Sequence, residues 1–265
     1  MKLLTLNCHS WQEENQLDKI KYLACIISEK NYDVIALQEV SQSIKADNLE
    51  GNIKEDNFAV LLKKELDKIT EEKYEFYWDF SHIGYDIYEE GLAIISRHKF
   101  LDTESFFITK NKDRLYWKTR KIVKSSIQIN KEVFDFYSCH LGWWNDEEEP
   151  FKYQADELLK HMNKDRISIL MGDFNNNAFI KNEGYDYLMN NNLNDLYLQA
   201  ENTASKCIAT AKGKIDGWEQ NSEQLRLDLV LSDKSLKVKY ADIIFNGENK
   251  KIISDHYGVE LELDL

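Results

Sequence analysis

Residues 167–175, Ile-Ser-Ile-Leu-Met-Gly-Asp-Phe-Asn, decide how this chain is read. An apolar, strand-like run, ISILM, ends in a glycine and then in Asp173 and Asn175, with Phe174 between them. Alternate side chains of an extended chain share a face, so Asp173 and Asn175 point one way and Phe174 points inward. The glycine lets a neighbouring backbone approach closely. Taken alone, the tetrapeptide reads equally well as an Asx-turn that closes a strand. Five more motifs repeat the pattern. Asn7-Cys8 follows LLTL, Gln38-Glu39 follows VIAL, and Ser138-Cys139-His140 follows VFDFY. Asp228 interrupts LRLDLVL, and Ser254-Asp255-His256 follows KII. Buried strands that end this regularly in Asn, Glu, Asp and His aim those groups at the mouth of a site. The set offers oxygen ligands for a hard cation, a water-activating carboxylate and two imidazoles, which is the equipment for phosphate-ester hydrolysis.

Working outward, residues 2–6 read as a strand. Residues 15–30 carry apolar groups at 17, 20, 23, 24 and 27, a helical face. Residues 32–37 are a second strand, and this β-α-β order predicts a parallel pair. Residues 41–57 read as a polar loop over the site and 58–70 as a helix. Strands at 74–80 and 91–96 flank a polar, aromatic loop at 81–90. Strands at 105–109, 121–129 and 133–139, a helix at 151–163 and a strand at 167–171 follow. A helix at 183–191, a long polar loop at 200–222 and strands at 225–231, 236–245 and 257–264 complete the series. This order predicts two packed sheets covered by helices. Residues 1–130 and 131–265 read as two halves sharing one site within a single catalytic domain, 1–265.

Composition narrows the function. The 265 residues carry 47 Asp and Glu against 34 Lys and Arg, a formal net charge of −13. Nucleic-acid binders usually show a basic footprint, so the balance weighs against a nuclease and favours a small substrate held beside a metal. The four cysteines, Cys8, Cys25, Cys139 and Cys207, form no C-x-x-C pair. They read as reduced thiols in a cytoplasmic protein. Only four apolar residues precede Asn7, too few for a signal-peptide core. No apolar stretch approaches the roughly 20 residues of a membrane span.

Each motif has a chemical reading. Glu39, where a buried strand gives way to a polar loop, is the leading metal ligand, with the amide oxygen of Asn7 beside it. Asp173 would orient and deprotonate the attacking water, and Asn175 would donate to the phosphoryl oxygens. Asp228, an acid in an apolar strand, needs a partner, and an Asp228–His256 pair meets the need of both. Asp255 offers another metal ligand or orienter, and His140 a second donor to the phosphoryl group.

The ordered set Asn7, Glu39, His140, Asp173, Asn175, Asp228, Asp255 and His256 resembles the endonuclease/exonuclease/phosphatase superfamily over residues 5–258. The resemblance implies a four-layer α/β/β/α sandwich, two packed mixed sheets flanked by helices. It also implies phosphoester cleavage dependent on Mg²⁺, with Mn²⁺ as a substitute. Asn7 and Glu39 then hold the metal, Asp173 and Asn175 handle the nucleophile, and Asp228 orients His256. His140 carries over from the phosphatase and sphingomyelinase branches. Repair nucleases place a tyrosine in the region that here reads Tyr137-Ser138-Cys139-His140.

The stretches Asn7-Cys8-His9-Ser10-Trp11, Gly84-Tyr85-Asp86 and His140-Leu141-Gly142-Trp143-Trp144 resemble a small cytosolic bacterial branch that includes maltose 6'-phosphate phosphatase. His9, Trp143, Trp144 and Arg120 are the candidate substrate contacts. The two indoles fit carbohydrate contact, core packing or nucleobase stacking. The acidic loop Asp146-Glu147-Glu148-Glu149 would repel a phosphodiester backbone. Arg97, Lys118, Arg120 and Lys121 fit either a solvated strand edge or a cation for a terminal phosphate. The expectation is a phosphomonoesterase acting on a small phosphorylated metabolite such as a sugar phosphate. No membrane partner is implied, and nucleic acid is disfavoured. An exonuclease III-like repair nuclease and a sphingomyelinase-like phosphodiesterase are the alternatives.

Overall fold

The computed structural model describes residues 1–265. Eleven principal strands and four helices follow in chain order. They are β1 (Lys2–Asn7), α1 (Gln16–Lys30), β2 (Val34–Ser43), α2 (Phe58–Ile69), β3 (Glu75–Gly84), β4 (Tyr88–Ser96), β5 (Phe100–Phe107) and β6 (Lys121–Ile129). The rest are β7 (Glu132–His140), α3 (Phe151–Lys160), β8 (Ile167–Asp173), α4 (Gly184–Asn190), β9 (Asp228–Ser232), β10 (Val238–Ile244) and β11 (Gly258–Leu263). A seven-stranded sheet runs from a short edge strand, Ala200–Thr203, through β10, β11, β1, β2 and β4 to β3. A six-stranded sheet runs from the pair Asn194–Asp195 through β9, β8, β7 and β6 to β5.

Three apolar cores separate four layers. One, with Leu23, Ile27, Leu37 and Leu62, seals α1 and α2 onto the seven-stranded sheet. The second, with Val34, Ile94, Phe136, Met171 and Val259, fills the space between the sheets. The third, with Tyr137, Phe151, Leu170 and Phe174, seals α3 and α4 onto the six-stranded sheet. This is the four-layer α/β/β/α sandwich. The helices sit where they do because their apolar stripes need these sheet faces. Their ends are defined locally: Asn57 caps α2 by accepting from the Ala59 and Val60 amides, and Asn31 ends α1 in a left-handed turn.

The sheet registers bring the motifs to one rim. β1 and β2 are parallel, with Asn7 opposite Gln38, and β7 and β8 are parallel, with His140 opposite Asp173. These four strands deliver their C-terminal ends to the rim. β9 is antiparallel to β8 and begins at Asp228, opposite Asp173. β11 is antiparallel to β1 and begins just after His256. Asp228 is thus a strand-end residue like the others, although its sequence reads as the middle of an apolar run.

Two expectations need correcting. Residues 81–90 are not a loop: β3 and β4 continue through them as a hairpin, turning at Tyr85-Asp86-Ile87. Their polar character arises because this part of the hairpin faces a cavity instead of a core. Residues 41–57 are not loop throughout, since β2 extends to Ser43 and a small hairpin, Asn48–Glu50 with Ile53–Lys54, follows. Each sheet draws strands from both halves. β5 and β6 belong to the sheet otherwise built from the second half, and β10 and β11 belong to the first.

Candidate active site

Local backbone devices aim the functional groups. β2 carries a register shift between Leu37 and Val40, and Glu39 sits in it with φ 53°. Such a bulge re-aims a side chain out of the pleat. Asn175 (φ 48°) and His9 (φ 42°) are also left-handed, a conformation that L-residues adopt sparingly and that gathers at functional sites. Gly172 is required because a Cβ there would lie 2.0 Å from the Cys139 carbonyl oxygen. Phe174 is fully buried. Burying a phenylalanine is worth roughly 2–3 kcal/mol, which anchors the two polar residues beside it.

Asp173 occupies the centre. Its Oδ1 accepts from the Asn175 amide at 2.7 Å, so the Asx-turn is present. Its Oδ2 accepts from Asn7 Nδ2 at 3.1 Å and lies 3.8 Å from both His140 Nε2 and His256 Nε2. The turn and a solvent-facing oxygen therefore coexist in one carboxylate. Asn7 Nδ2 also donates to Glu39 Oε1 at 2.7 Å, while Asn7 Oδ1 accepts from the His9 amide at 3.2 Å. Asn7 thus bridges the two carboxylates through its nitrogen; its oxygen is not turned toward Glu39. His256 Nδ1 meets Asp228 Oδ2 at 2.9 Å, and the Asp228 amide donates to the Thr210 hydroxyl oxygen at 3.1 Å. Asn175 Nδ2 donates to the Leu141 carbonyl at 3.0 Å, which leaves one of its two N–H bonds uncommitted. Asn175 Oδ1 accepts from Trp218 Nε1 at 3.2 Å, a contact the sequence does not signal.

Charges at the rim are strongly perturbed. Burial raises Glu39 to about 8, and the Glu90 and Asp255 carboxylates add to the rise. Burial raises Asp173 to about 6; the His256 charge pulls it down and Asp228 pushes it up. Burial opposes charge on His256, but Asp228 and Asp173 overcome it and hold the imidazole well above its usual range. His140 goes the other way, pressed well below by burial first and then by the cationic neighbours Arg120 and His256. The two imidazoles therefore differ: their surroundings favour the charged form of His256 and the neutral form of His140.

Carboxylates packed this tightly with little cationic compensation suit a hard divalent ion. Glu39, His140 and Asp173 lie at ligand spacing from one another, as do Asp173, Asp228 and His256, and His9, Glu13 and Asp255. In the last group His9 Nδ1 is 2.8 Å from Glu13 and 3.6 Å from Asp255. His9 thus stands beside Asp255, and it is not among the cavity-lining residues.

A cavity of about 300 Å³ opens over the rim. Glu39, His140, Asp173, Asn175 and His256 line its floor, and Arg120, Trp117 and Trp143 its wall. Arg120 is buried, donates from Nη1 to the Trp117 carbonyl at 2.8 Å, and leaves Nε without a protein partner. It is not part of a solvated edge. Neither are its neighbours: Lys118 pairs with Asp146 and Glu148, Lys121 pairs with Asp79, and Arg97 pairs with Asp33. The acidic loop is correspondingly committed, with Glu149 accepting from the Lys110 and Asn111 amides. Asp146 and Glu148 thus face a cation, not solvent alone. Trp144 packs on Phe151 and Tyr187 and does not line the cavity. Glu90, His82, Tyr85, Asp216 and Glu219 also line it. Their signal lay only in the two polar segments, 81–90 and 200–222, that the sequence leaves without a core-facing pattern.

With fold and rim in place, the comparisons converge. A sequence model of the Endonuclease/Exonuclease/phosphatase family matches residues 4–256. The chain belongs to that family, whose members are hydrolytic enzymes, phosphatases or nucleases, that typically use divalent metals. A solved endonuclease/exonuclease/phosphatase family protein from Leptotrichia buccalis C-1013-b is 38% identical, with 100% of both chains covered and a TM-score of 0.92. Two more distant structures share the fold. The mannosyl-6-phosphatase Bt3783 of Bacteroides thetaiotaomicron VPI-5482 is 16% identical, with 100% of both chains covered and a TM-score of 0.70. A humanized D. rerio TDP2 is 16% identical, covering 100% of this chain and 99% of that one, with a TM-score of 0.64. No match was found among the curated proteins. No helix is long and apolar enough to cross a membrane.

Proposed function

We propose that this chain is a Mg²⁺-dependent phosphomonoesterase acting on a small phosphorylated metabolite, most simply a sugar phosphate, with Mn²⁺ able to replace Mg²⁺. The observation that carries the reading is the composition of the cavity wall. Arg120 is its one Lys or Arg, while Glu90, Asp216 and Glu219 are acidic and Tyr85, Trp117 and Trp143 aromatic. A nucleic-acid path needs several cations to follow successive phosphates. One buried guanidinium suits one phosphoryl group, and a monoester is nearly dianionic at neutral pH. Carboxylates and indole faces suit the hydroxyls and ring faces of a sugar. The fold shared with a mannosyl-6-phosphatase adds support.

Glu39 and Asp255 would hold the metal, which supplies Lewis-acid polarisation of the phosphoryl group and charge neutralisation at the leaving oxygen. Asn7 positions Glu39 and Asp173 by bridging them. Asp173, with a pKa of about 6, is suited to take the proton of the attacking water near neutral pH. His256, kept charged by Asp228, donates from Nε2 to a phosphoryl oxygen, as do Arg120 and the remaining N–H of Asn175. His140, neutral, can donate from Nε2 without adding a second charge. The whole chain, 1–265, forms this one catalytic domain. Its four free thiols suit the reducing cytoplasm, where we place the enzyme.

The test is phosphate release from sugar phosphates, nucleotides, inositol phosphates and abasic DNA, with Mg²⁺ and after chelation. Metal-dependent release from sugar phosphates is expected. Activity on abasic DNA alone would sink the reading, and activity that rises on lipid vesicles would move it to a phosphodiesterase.

A further inference from the structure

We infer that Glu90 is the specificity-determining residue through which the cavity selects a leaving group bearing hydroxyls; the inference rests on the phosphatase reading above. Glu90 lies on β4, opposite His82 of β3, and lines the cavity. Its side chain is 14% exposed, and its nearest cationic candidate is His82 Nε2 at 3.5 Å. His82 offers it no hydrogen. The other ring nitrogen, Nδ1, sits 3.1 Å from the Thr119 carbonyl oxygen, which can only accept, and 3.5 Å from Arg120 Nη1, which can only donate; the shorter contact favours the proton on Nδ1. Burial and the neighbouring Arg120 keep the ring neutral, so Nε2 is left with a lone pair. No protein N–H or O–H lies within hydrogen-bonding distance of either Glu90 oxygen, while every other carboxylate on the cavity floor has a donor.

The Glu90 oxygens open on the cavity, where water is their partner and no protein donor competes for them. A ligand that supplies donors takes the place of that water. The phosphoryl oxygens are acceptors and meet an ionised Glu90 with like charge, so hydroxyl donors suit it better, although burial and the Asp216 carboxylate push Glu90 toward its protonated form. Glu90 joins none of the carboxylate and imidazole groups that lie at metal-ligand spacing. What remains is the part of the substrate that departs. It lies against Trp117 and Trp143, whose ring centroids are 6.1 Å apart, and would present hydroxyls to Glu90. Hydroxyl recognition by a buried acceptor discriminates strongly, because the analogue lacking the hydroxyl leaves the acceptor unmatched.

The experiment compares kcat/KM for a hexose 6-phosphate and for phenyl phosphate, whose leaving group has no hydroxyl to donate beyond the scissile oxygen. It uses the full chain with Mg²⁺, as wild type, Glu90→Ala and Glu90→Gln. The hexose-to-phenyl ratio should fall about tenfold or more in Glu90→Ala, mostly through KM, and recover in part in Glu90→Gln. Glu90→Gln keeps the size of the side chain and so guards against a folding defect in the alanine variant. An unchanged ratio in both variants, whether activity on the two substrates falls together or not at all, overturns the inference and leaves the phosphatase reading standing. Wild-type protein that releases phosphate from neither ester overturns both.

Discussion

Asp33, just before β2, and Glu39, in the bulge of that strand, stand six residues apart, and their surroundings are opposite. Asp33 accepts from the Lys2 amide at 2.7 Å, from Arg97 Nη2 at 2.6 Å and from His98 Nε2 at 2.7 Å. Burial would raise its pKa, but these donors outweigh burial and hold it below the usual carboxylate range. Glu39 has one donor, Asn7, and acidic neighbours, and it rises to about 8. One end of the sandwich saturates its acid; the other leaves its acids short of donors. A donor-starved carboxylate costs stability and is poised to take a cation or a proton, so the contrast separates scaffold from site.

Four substitutions can break or sharpen that contrast. Asp173→Asn should lower kcat/KM by about 100-fold or more while leaving the melting temperature within a few degrees of wild type. Retention of a tenth of the wild-type value would remove Asp173 from the role of base. Asp33→Asn should do the reverse, costing about 2 kcal/mol in urea unfolding with little change in kcat, because Arg97 and His98 lose their anionic acceptor. The pH sign follows. A folded pKa below the unfolded one contributes stability that is present above about pH 4 and is lost as pH falls through the folded value. The wild-type and Asp33→Asn stabilities should therefore converge in acid, and a constant gap would contradict the assignment.

Glu39→Gln should raise the melting temperature of metal-free protein by about 3 °C while abolishing its stabilisation by Mg²⁺. Here the folded pKa of about 8 lies above the ordinary value of 4.5, so ionisation disfavours the fold. Stability of the metal-free wild type should decline as pH rises between those values, and the decline should flatten in Glu39→Gln. Equal slopes would refute the claim that this end is starved of donors. The smallest effect belongs to the cavity wall. A Cβ on Gly217 (φ 74°) would come within 2.5 Å of the Trp143 ring, so Gly217→Ala should displace the indole. KM for a sugar phosphate should rise about fivefold. An unchanged KM would mean that Trp143 does not touch the substrate.

The floor of the site was legible because its residues interrupt apolar strands, and such interruptions are visible locally. Asp173, His140 and Asp228 needed only the sheet register to become neighbours. The wall was only partly legible, with Arg120 and Trp143 named but not placed, for three physical reasons. His82 and Glu90 belong to strands whose polar face lines a cavity, so the stretch lacks the apolar alternation that marks a strand. Trp143 and Trp144 are adjacent, and nothing local says which turns to the cavity and which to Phe151. Arg120 sits in Trp-Lys-Thr-Arg-Lys, where the burial of one cation and the pairing of its neighbours depend on Asp79, Asp146 and Glu148, all distant in the chain.

β1 lies between β2 and β11. The Ser254 hydroxyl donates to the Asn7 carbonyl across 247 positions of sequence. On a ribosome adding about 5–20 residues per second, Asn7 and Glu39 are therefore exposed for roughly 10–50 s before His256 exists. Through that interval one edge of LLTL has no partner, a vulnerable state for an apolar strand. A stalled or truncated product would carry Asn7 and Glu39 without His256, and the unpaired edge without its cover. Quality control in the cell would thus meet a sticky intermediate that lacks part of the proposed site.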